Sequence, residues 1–535
     1  MIKQIHFILL FFVFASCFAQ QHDYIIGKLY DAKTQEPVAF ASIRIKDRAL
    51  GVISNTDGSF KIPIRYKEYG DIIEISSMGY QSLQVLIDGF KIDSINELLL
   101  EPAAMQLQEA IVSEKRRRKR LISAKNIVRK AVKAIPDNYS SRPFSIIGYY
   151  RDYQIKDKDS SYLNLNEAIL EVFDPGITKP DLANTKVSLY NYKPNLEFER
   201  DQQAEKKYNY QNWNKVIDKA YLYNYGGNEF TILRVHDAIR NYNVNSYDFI
   251  NRMETDLFNN HYFYKEDDVY TENEVLYQIK IMQRKFGHIV HGTFYISKKD
   301  FAIHKMEYAI YDRSKTNSSG SINKHGNNNE LIFEVTTEYV REYSKMYLNY
   351  ISFRNSFQLE MPADFVVVQT TAHLPNRCFE VRFNKKVDKA TGEAKKNYNF
   401  TFKDKKLKFK KIEVFDDRAR LYPDMPEHEL TNMLVDFATA VKNEIDLSTI
   451  LKVEFGDINS YSVDPLYAYV LNERSYAYYQ QFREFFVQQI KPNSNGPIDG
   501  SFMDMSKPIF KDQPIVKPDN FDDYWMNTPL QSIKN

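Results

Sequence analysis

The chain has 535 residues, 43% hydrophobic and 27% charged, which is ordinary for a globular protein and leaves room for two to four domains. Its formal net charge at pH 7 is only +2, which argues against a nucleic acid as the partner. The 39 Tyr and 36 Phe favour β-strands, because aromatic side chains pack well on half-buried pleated surfaces.

The first residues have the pattern of a secretory signal. A basic residue precedes the apolar run Ile8 to Phe14, which is too short to remain as a membrane-spanning anchor. Small residues at Cys17 and Ala19 predict cleavage before Gln20. Residues 1–19 are therefore expected to be a signal peptide, and the mature protein is expected in the periplasm or the outer membrane.

A lipidated N-terminus is the alternative at the same place. Phe14 to Cys17 has the position of a lipobox, which would put a lipid on Cys17 and hold the protein in a membrane. Simple cleavage is favoured, because Phe14 stands where a lipobox usually carries Leu. Cleavage would leave Cys378 as the remaining cysteine, so an intramolecular disulfide is excluded. Cys378 is then expected to be a small buried apolar residue.

Short alternating runs after the signal predict a small antiparallel β-sandwich. Ile43 and Ile45, for example, alternate with charged neighbours. A period of two puts one face of such a strand on a core and the other face in water. Asp57-Gly58 is predicted to form a turn between two of the runs, because glycine adopts φ > 0 at no steric cost.

Four pieces of sequence follow one another in this region: Gly27-Lys28-Leu29-Tyr30-Asp31, Glu36-Pro37-Val38-Ala39-Phe40-Ala41, Asn55-Thr56-Asp57-Gly58-Ser59-Phe60 and Ser77-Met78-Gly79-Tyr80. Their order resembles the carboxypeptidase-like regulatory domain. That domain is a transthyretin-like sandwich found in front of many outer-membrane receptors and envelope proteins of Gram-negative bacteria. The resemblance covers residues 24–112 and implies an interaction module in the cell envelope, assigned here to residues 20–112. It implies no activity for the rest of the chain.

A basic linker and a helix are expected at residues 113–136. Lys115 to Arg120 is an unbroken basic run, typical of a solvated linker at a domain boundary. Peripheral contact of this run with anionic lipid headgroups of the outer membrane is the alternative. Ser123 to Ile135 has helical spacing of apolar residues, and Pro136 ends the helix.

Residues 137–425 are predicted to form an α+β domain on one large antiparallel sheet. Glu229 to Asn241 is predicted to be a helix, and apolar residues alternate in a strand meander from Val275 to Phe402. The pairing of Tyr277-x-Ile279-x-Ile281 with Gly292-x-x-Tyr295-Ile296 is also similar to the open half-barrels of lipoprotein carriers. Any antiparallel meander would give that pairing.

Residues 426–535 are predicted to hold helices and a Pro-rich tail. A helix begins at Pro426 and carries the apolar stripe Leu430, Leu434, Phe437 and Val441. Tyr476 to Gln489 is predicted as a second helix, and the tail from Pro492 is expected along the surface, with Tyr524-Trp525 as a local anchor. We expect the working surface on the sheet from Val275 to Phe402 and the first helix beside it. If the helix covers only part of the apolar face of the sheet, an aromatic groove remains for an amphiphile or a partner strand. If the helix covers the whole face, binding is expected at the loops or at the sandwich.

The candidate motifs for a metal or catalytic site are each incomplete. His304-Lys305-Met306-Glu307 has the letters of a zinc carboxypeptidase, but positions i and i+3 of a strand face opposite sides, and His304 falls on the apolar face. His428 begins a zincin-like helix, yet Asn432 stands where the second ligand should be. His288 and His291 flank a hairpin without a third ligand nearby. No catalytic residue, cofactor or metal is therefore expected.

The sequence predicts a mainly β protein with α, namely an N-terminal transthyretin-like sandwich and a larger α+β domain. The favoured function is a non-enzymatic cell-envelope protein that binds an envelope protein or an amphiphilic or glycan ligand. A truncated relative of TonB-dependent receptors is one alternative, ranked lower because helical segments after residue 426 replace barrel strands. An unrecognised glycan-directed hydrolase is the other, since no carboxylate pair can be selected or excluded. The oligomeric state is left open.

Overall fold

The computed structural model describes residues 23–48, 50–103, 122–156, 161–206, 215–217, 222, 225–240, 257–271, 274–285, 287–316, 323, 325–360, 365–443, 445–462, 466–467, 476–494, 496 and 501–530. The expectations for Cys17, for the cleavage site and for the basic run at 115–120 lie outside these ranges. In the described residues no helix is long and apolar enough to cross a bilayer.

The strands, in chain order, are β1 (Tyr24–Asp31), β2 (Ser42–Ile45), β3 (Leu50–Ile53), β4 (Ser59–Pro63), β5 (Ile72–Ser76), β6 (Leu83–Leu86), β7 (Asn96–Leu100), β8 (Phe144–Lys156), β9 (Leu163–Asp174), β10 (Lys186–Pro194), β11 (Lys215–Val216), β12 (Tyr262–Lys265), β13 (Val269–Tyr270), β14 (Val275–Lys285), β15 (His288–Ser297), β16 (Ile303–Thr316), β17 (Asn329–Glu342), β18 (Lys345–Glu360), β19 (Phe365–His373), β20 (Cys378–Phe383), β21 (Tyr398–Phe402), β22 (Lys405–Lys406), β23 (Phe409–Phe415), β24 (Arg418–Pro423), β25 (Leu451–Phe455), β26 (Leu466–Tyr467) and β27 (Tyr476–Pro492). The helices are α1 (Arg65–Glu68), α2 (Ala124–Lys133), α3 (Ile135–Asn138), α4 (Asp181–Asn184), α5 (Gln202–Glu205), α6 (Glu229–Arg234), α7 (Leu257–Asn260), α8 (Lys389–Gly392) and α9 (Glu427–Lys442).

The chain forms two compact units. The first runs to Leu359 and resumes at Tyr478, and the second comprises Glu360–Ala477. The chain thus leaves the first unit at the end of β18 and returns to it at β27. Neither composition nor linker signals indicated these boundaries.

The predicted sandwich is present at the start of the first unit. One sheet has the strand order β4-β1-β7 and the other has the order β3-β2-β5-β6. All pairs are antiparallel except β1 with β7. Alternate residues such as Ile25, Leu29, Ile43 and Ile75 are buried between the sheets, as the period of two predicted. The mainly β fold class with its N-terminal sandwich is confirmed.

The turn at Asp57-Gly58 joins β3 to β4. The Asp57 carboxylate accepts a hydrogen bond from the Ser59 backbone N–H at 3.0 Å. Gly58 has φ +77°, and a Cβ added to it would lie 2.4 Å from the carbonyl oxygen of Leu29. The turn therefore needs glycine both for its left-handed backbone and for its close approach to β1.

Gly58→Val is expected to destabilise the protein by about 1 kcal/mol or more, because it adds strain at positive φ to the backbone clash. Urea unfolding will measure this loss. Gly70→Val is a matched control, since Gly70 also has positive φ but no atom lies within 4 Å of its added Cβ. Equal losses at both positions would show that the approach to Leu29 contributes nothing.

A twelve-stranded sheet forms the centre of the first unit. Its main order is β10-β9-β8-β27-β18-β17-β16-β15-β14-β12, and the short strands β11 and β13 pair with β18 and β14. The predicted meander therefore exists, but it ends at β18. The strands from Phe365 onward, which were assigned to the same sheet, belong to the second unit.

One face of this large sheet is apolar and buried, and it includes Ile279, Ile281, Phe294, Met306, Tyr308, Ile310, Val335 and Phe353. Helices of the first unit cover it. Phe230 of α6 packs edge-on against Tyr150 and Phe485 at 5.3 Å, and His236 stacks on Phe353 at 3.9 Å. The expectation of an open aromatic groove on this face is wrong, because its aromatic side chains pack against residues of the first unit.

The sandwich packs on the opposite face of the large sheet. The Phe40 ring stacks on Tyr350 at 4.8 Å, and Leu50 and Ile53 share a buried cluster with Ile147. Contacts of this kind make the sandwich and the sheet one packed body within the unit.

The C-terminal part of the first unit differs most from its prediction. Tyr476 to Gln489, predicted as a helix, is strand β27, which lies between β8 and β18 in the centre of the sheet. Pairing along both edges of this strand outweighs local helix propensity. The tail is not only at the surface, because Trp525 is buried in the core of the sandwich.

The second unit has its own core between two sheets, β23-β24-β20-β19-β26 and β22-β21-β25, and helix α9. Helix α9 was expected to cover the meander. Its Phe437 ring instead lies 5.8 Å from Phe379 and 5.1 Å from Phe402. That expectation is therefore corrected, because the strands from Phe365 onward form the surface that α9 covers.

The helix predicted at Ser123–Ile135 is confirmed as α2. The Ser123 hydroxyl accepts a hydrogen bond from the Asn126 N–H and caps the helix. The helix predicted from Glu229 is shorter than expected and ends at Arg234 as α6.

Candidate functional site

A polar cleft separates the sandwich from one end of the large sheet. It has a volume of about 550 Å³, within the range of small-molecule sites. The sandwich wall consists of Ser42, Arg44, Glu74, Ser76, Ser77, Met78, Tyr80 and Ser82. The sheet wall consists of Thr271, Glu274, His304, Glu338, Tyr339, Val340, Arg341, Glu342 and Asn349. We call this the sandwich–sheet cleft.

Strands β2 and β5 provide the sandwich wall with their outward face. Arg44 lies directly opposite Glu74 in the register of these two strands, and Ser42 lies opposite Ser76. The alternation that buries Ile43 and Ile45 therefore turns a row of polar side chains toward the cleft. This wall follows from the sandwich fold itself.

Arg44 connects the two walls. Its Nη2 donates a hydrogen bond of 3.3 Å to the Asn349 Oδ1 on β18. Burial lowers the pKa of the Arg44 guanidinium, and the nearby Glu342 carboxylate opposes that shift. The side chain thus remains a cation held between the two halves of the unit.

The sheet wall continues this chain of polar contacts. The Asn349 Nδ2 donates to the Glu338 Oε1 at 3.2 Å, and Glu338 lies opposite Lys305 in the register. Lys305 also forms an ion pair of 3.2 Å with Glu307. Burial raises the pKa of the Glu338 carboxyl, while Lys305 and Asn349 oppose the rise.

His304 lies in the cleft because the strand is irregular at this point. The register between β15 and β16 shifts at Tyr295/Ile296, and the His304 Nε2 lies 3.0 Å from the Glu274 Oε1. The Ser297 hydroxyl donates to the other oxygen of Glu274. The contact with His304 lowers the pKa of Glu274 to about 2, so this carboxylate is ionised at any physiological pH.

The expectation that His304 lies on the apolar face is wrong, because the register shift turns it toward Glu274. Glu307, its neighbour in the His-x-x-Glu letters, pairs with Lys305 instead. The other histidine that suggested zinc, His428, is exposed on α9. In the described part of the chain no group of three or more His, Cys, Asp or Glu side chains is arranged to hold a metal ion.

The remaining residues selected from the sequence lie apart from the cleft. His291 stacks on His325 at 4.6 Å on the large sheet. Cys378 is buried in the second unit, as expected. Asp57 and Gly58 form the turn described above. None of these residues lines the cleft.

Charged groups buried elsewhere in the first unit have structural partners. The Arg483 Nε donates to Glu229, which joins β27 to helix α6. Asp152 accepts a hydrogen bond of 3.0 Å from the Asn166 Nδ2. Burial raises the pKa of Asp152 to about 7, and the neighbouring Glu229 adds to the rise. The first contact holds helix α6 against the sheet, and the second joins strands β8 and β9.

Sequence reasoning missed the charged residues of the cleft. They come from two stretches of the chain, Ser42–Ser82 and Thr271–Asn349, and share no local motif. The sequence pattern that could have indicated the cleft is the polar face of β2 and β5, for which the period of two predicts exposure to solvent. A second surface opposite that face is a property of the tertiary structure alone.

Comparisons with known proteins give one match along the sequence. Residues 25–112 match the family model of the CarboxypepD_reg-like domain. That segment contains the sandwich wall of the cleft. No curated protein matches the chain.

Among solved structures, the chain is similar to a domain described as belonging to an outer membrane lipoprotein-sorting protein of Vibrio parahaemolyticus. The similarity has 13% identity and a TM-score of 0.18, and it covers 43% of this chain and 85% of that one. Such a score supports no argument about fold or function.

Proposed function

We propose that this protein is a non-enzymatic binding protein of the bacterial cell envelope, and that it holds a polar ligand in the sandwich–sheet cleft. The cleft is the observation that carries the proposal. It is about 550 Å³ in volume, and its walls come from two different sheets of one packed unit. A ligand that touches both walls would contact the regulatory-like domain and the large sheet together.

The chemistry of the lining favours a ligand rich in hydrogen-bonding groups. Hydroxyls, carboxylates and guanidinium groups surround the space, and few apolar side chains do. An amphiphile would need an apolar groove, and the apolar face of the large sheet is already packed. Of the ligand classes expected from the sequence, a glycan or a polar segment of an envelope protein therefore suits the cleft better than an amphiphile.

Export to the envelope is supported by two features of the chain. The run Ile8 to Phe14 has the pattern of a secretory signal. Residues 25–112 match a domain family whose members, by the resemblance noted above, occur in the envelope of Gram-negative bacteria. The proposal assigns no catalytic role to the cleft.

Filling the cleft is the direct test. Ser76 is exposed on β5 inside the cleft, so Ser76→Trp should occupy the space without disturbing a core. Solubilised envelope fragments should bind the wild-type protein, with saturation, in isothermal titration calorimetry. Ser76→Trp should abolish the heat of binding. Fragments that have been bound by the wild-type protein and then released should have the same mass as before binding.

Ser94→Trp is the matched control, because Ser94 is an exposed serine of the same sandwich that does not line the cleft. It should bind as the wild type does. Equal binding by the wild type and Ser76→Trp, or no binding by the wild type, would refute the cleft as the ligand site. Fragments released with altered mass would contradict the proposal of a non-enzymatic protein and would favour the alternative of a glycan-directed hydrolase.

A further inference from the structure

The second unit carries a concentrated positive charge on its surface. Residues 395–411 include eight lysines and one acidic residue, Asp404, whereas the whole chain has a net charge of only +2. All eight lysine side chains are exposed. Protein surfaces normally mix charges of both signs, so a stretch of one sign favours a partner of the opposite charge.

The fold keeps three of these lysines beside one another in solvent. Burial alternates along the segment that joins β22 to β23. Leu407 and Phe409 are buried in the core of the second unit, and Lys406, Lys408 and Lys410 between and around them are exposed. A period of two along an extended chain separates the lysines from the core in this way.

A neighbouring strand extends the positive surface. Thr401 of β21 lies opposite Lys406 of β22 and also opposite Lys452 of β25 in the strand register. Residues directly opposite each other in antiparallel strands share a face, so the two lysines stand on the same face, on either side of Thr401. Glu454 of β25 also belongs to that face, and Lys452 and Glu454 are both exposed.

Carboxylates of the second unit neutralise few of the lysines. Lys403 forms an ion pair of 2.6 Å with Asp436, and Lys411 pairs with Glu413. Within the described residues, no carboxylate lies within ion-pair distance of a further six exposed lysines, which are Lys396, Lys405, Lys406, Lys408, Lys410 and Lys452. We call these six the lysine face. Their charge is available to an external anion.

Exposed apolar side chains occur at the end of helix α9. Val441 is 61% exposed, although its spacing places it in the apolar stripe that the sequence assigned to this helix. Ile445 and Leu447, which follow the helix, are 48% and 39% exposed. We call these three residues the apolar edge. The core of the second unit leaves them to solvent or to a partner.

Backbone hydrogen bonds connect the apolar edge to the lysine face. The Ile450 N–H donates to the Leu447 carbonyl at 3.1 Å, and the Ile450 carbonyl accepts from the Lys403 N–H at 2.9 Å. Lys403 and Asp404 form the turn between β21 and Lys405, the first residue of β22. The two surfaces are therefore neighbours within the second unit.

We propose that the second unit docks on the surface of an anionic lipid bilayer, with the lysine face on the phosphate groups and the apolar edge in the headgroup layer. Lysine is a compact point charge that attracts anionic headgroups without a fixed geometry. Exposed apolar side chains add affinity for a partner with an apolar interior, which a bilayer has and a soluble polyanion lacks. This docking surface is separate from the sandwich–sheet cleft and does not depend on a ligand there.

Co-sedimentation of the full chain with lipid vesicles tests the proposal. The protein should bind vesicles of phosphatidylcholine with about one third phosphatidylglycerol at least about tenfold more tightly than vesicles of phosphatidylcholine alone. High ionic strength should weaken this binding, because salt screens exposed charges. Equal binding to the two kinds of vesicle, or no binding to either, would overturn the proposal.

A triple variant places the binding on the lysine face. Lys406→Gln/Lys408→Gln/Lys410→Gln should lower the affinity for the anionic vesicles at least about tenfold, because it removes three exposed charges without changing the core. The matched control changes three exposed lysines of the first unit and is Lys33→Gln/Lys91→Gln/Lys299→Gln. It alters the net charge equally and should bind as the wild type does. Equal losses in the two variants would refute the lysine face, because net charge alone would then attract the protein.

The apolar edge distinguishes a bilayer from a soluble polyanion as the partner. Val441→Ser/Ile445→Ser should weaken binding to the anionic vesicles and leave binding to dextran sulfate unchanged. Leu182→Ser/Leu196→Ser is the control, because it changes two exposed apolar residues of the first unit, and it should bind vesicles as the wild type does. If Val441→Ser/Ile445→Ser bound the vesicles as tightly as the wild type, the apolar edge would not enter the bilayer. The partner would then be a soluble polyanion, which contradicts the proposal.

Discussion

Arg151→Met is expected to lower the free energy of unfolding by about 3–5 kcal/mol, among the largest effects of any single substitution in this chain. The Arg151 side chain is completely buried between the sandwich and the large sheet. Its Nε donates to the Glu484 Oε2 at 2.6 Å, and its Nη1 donates to the Asn55 Oδ1 at 2.6 Å. Methionine keeps much of the volume but leaves the buried Glu484 carboxylate without its cation and with the Tyr350 hydroxyl as its remaining hydrogen-bond donor, which accounts for most of the cost.

Chemical unfolding of the single variant measures this loss, and a double variant isolates its cause. Arg151→Met/Glu484→Gln should recover part of the stability, because the neutral amide no longer needs a cation. Arg48→Met is the surface control, since the Arg48–Asp71 pair is solvent-exposed on the Arg48 side and should be worth less than about 1 kcal/mol. If Arg151→Met cost no more than Arg48→Met, the buried contacts of Arg151 with Glu484 and Asn55 would not contribute to the stability of the first unit.

Trp525→Ala is expected to destabilise the sandwich by about 3–5 kcal/mol, the range for removing a large buried aromatic side chain. Trp525 is 4% exposed and packs in the sandwich core, with its ring 5.7 Å from that of Tyr66. Its Nε1 donates to the carbonyl oxygen of Lys61 at 2.8 Å. Truncation therefore opens a cavity and leaves a backbone acceptor of β4 without its donor.

Hydrogen exchange of the amides of β1 and β4 reports this effect locally, beside the global unfolding transition. Phe510→Ala is the matched control, because Phe510 is a half-exposed aromatic residue of the same tail and should cost less than about 1 kcal/mol. Unchanged exchange in β1 and β4 of Trp525→Ala would contradict the role of the tail in the sandwich. The same result bears on the stability of residues 21–112 in isolation, because that segment lacks this tryptophan.

The core of the sandwich is thus completed by a residue more than 400 positions away in the chain. The Asn527 side chain strengthens this link, since its Oδ1 accepts from the Lys61 N–H at 2.8 Å and its Nδ2 donates to the Ile53 carbonyl at 2.9 Å. Sequence reasoning identified Tyr524-Trp525 as an anchor but placed it on the surface. It had no means of knowing which core the anchor enters, because periodicity carries no information about distant partners.

The two helical predictions at Ser123–Ile135 and Tyr476–Gln489 also differ in whether local sequence determines the structure. Ser123, with apolar residues at helical spacing behind it, specifies α2 locally, because the cap and the stripe both lie within the helix. Tyr476–Gln489 has apolar residues compatible with either period. This segment forms a strand because β8 and β18 pair with its two edges. The local preference was too weak to resist that pairing.

The sequence by itself determined the sandwich, its turn at Asp57-Gly58 and the strand meander from Val275, because a period of two and turn chemistry are local properties. It also determined that β2 and β5 present polar side chains on one face. The tertiary structure decided that this face meets a second wall, that Arg44 connects to Asn349 across it, and that His304 turns toward Glu274. The Arg44–Asn349 contact joins residues more than 200 positions apart, and the His304–Glu274 contact depends on a register shift. Both contacts form only when whole sheets pack, because buried polar groups then pair with the polar groups that packing brings close to them.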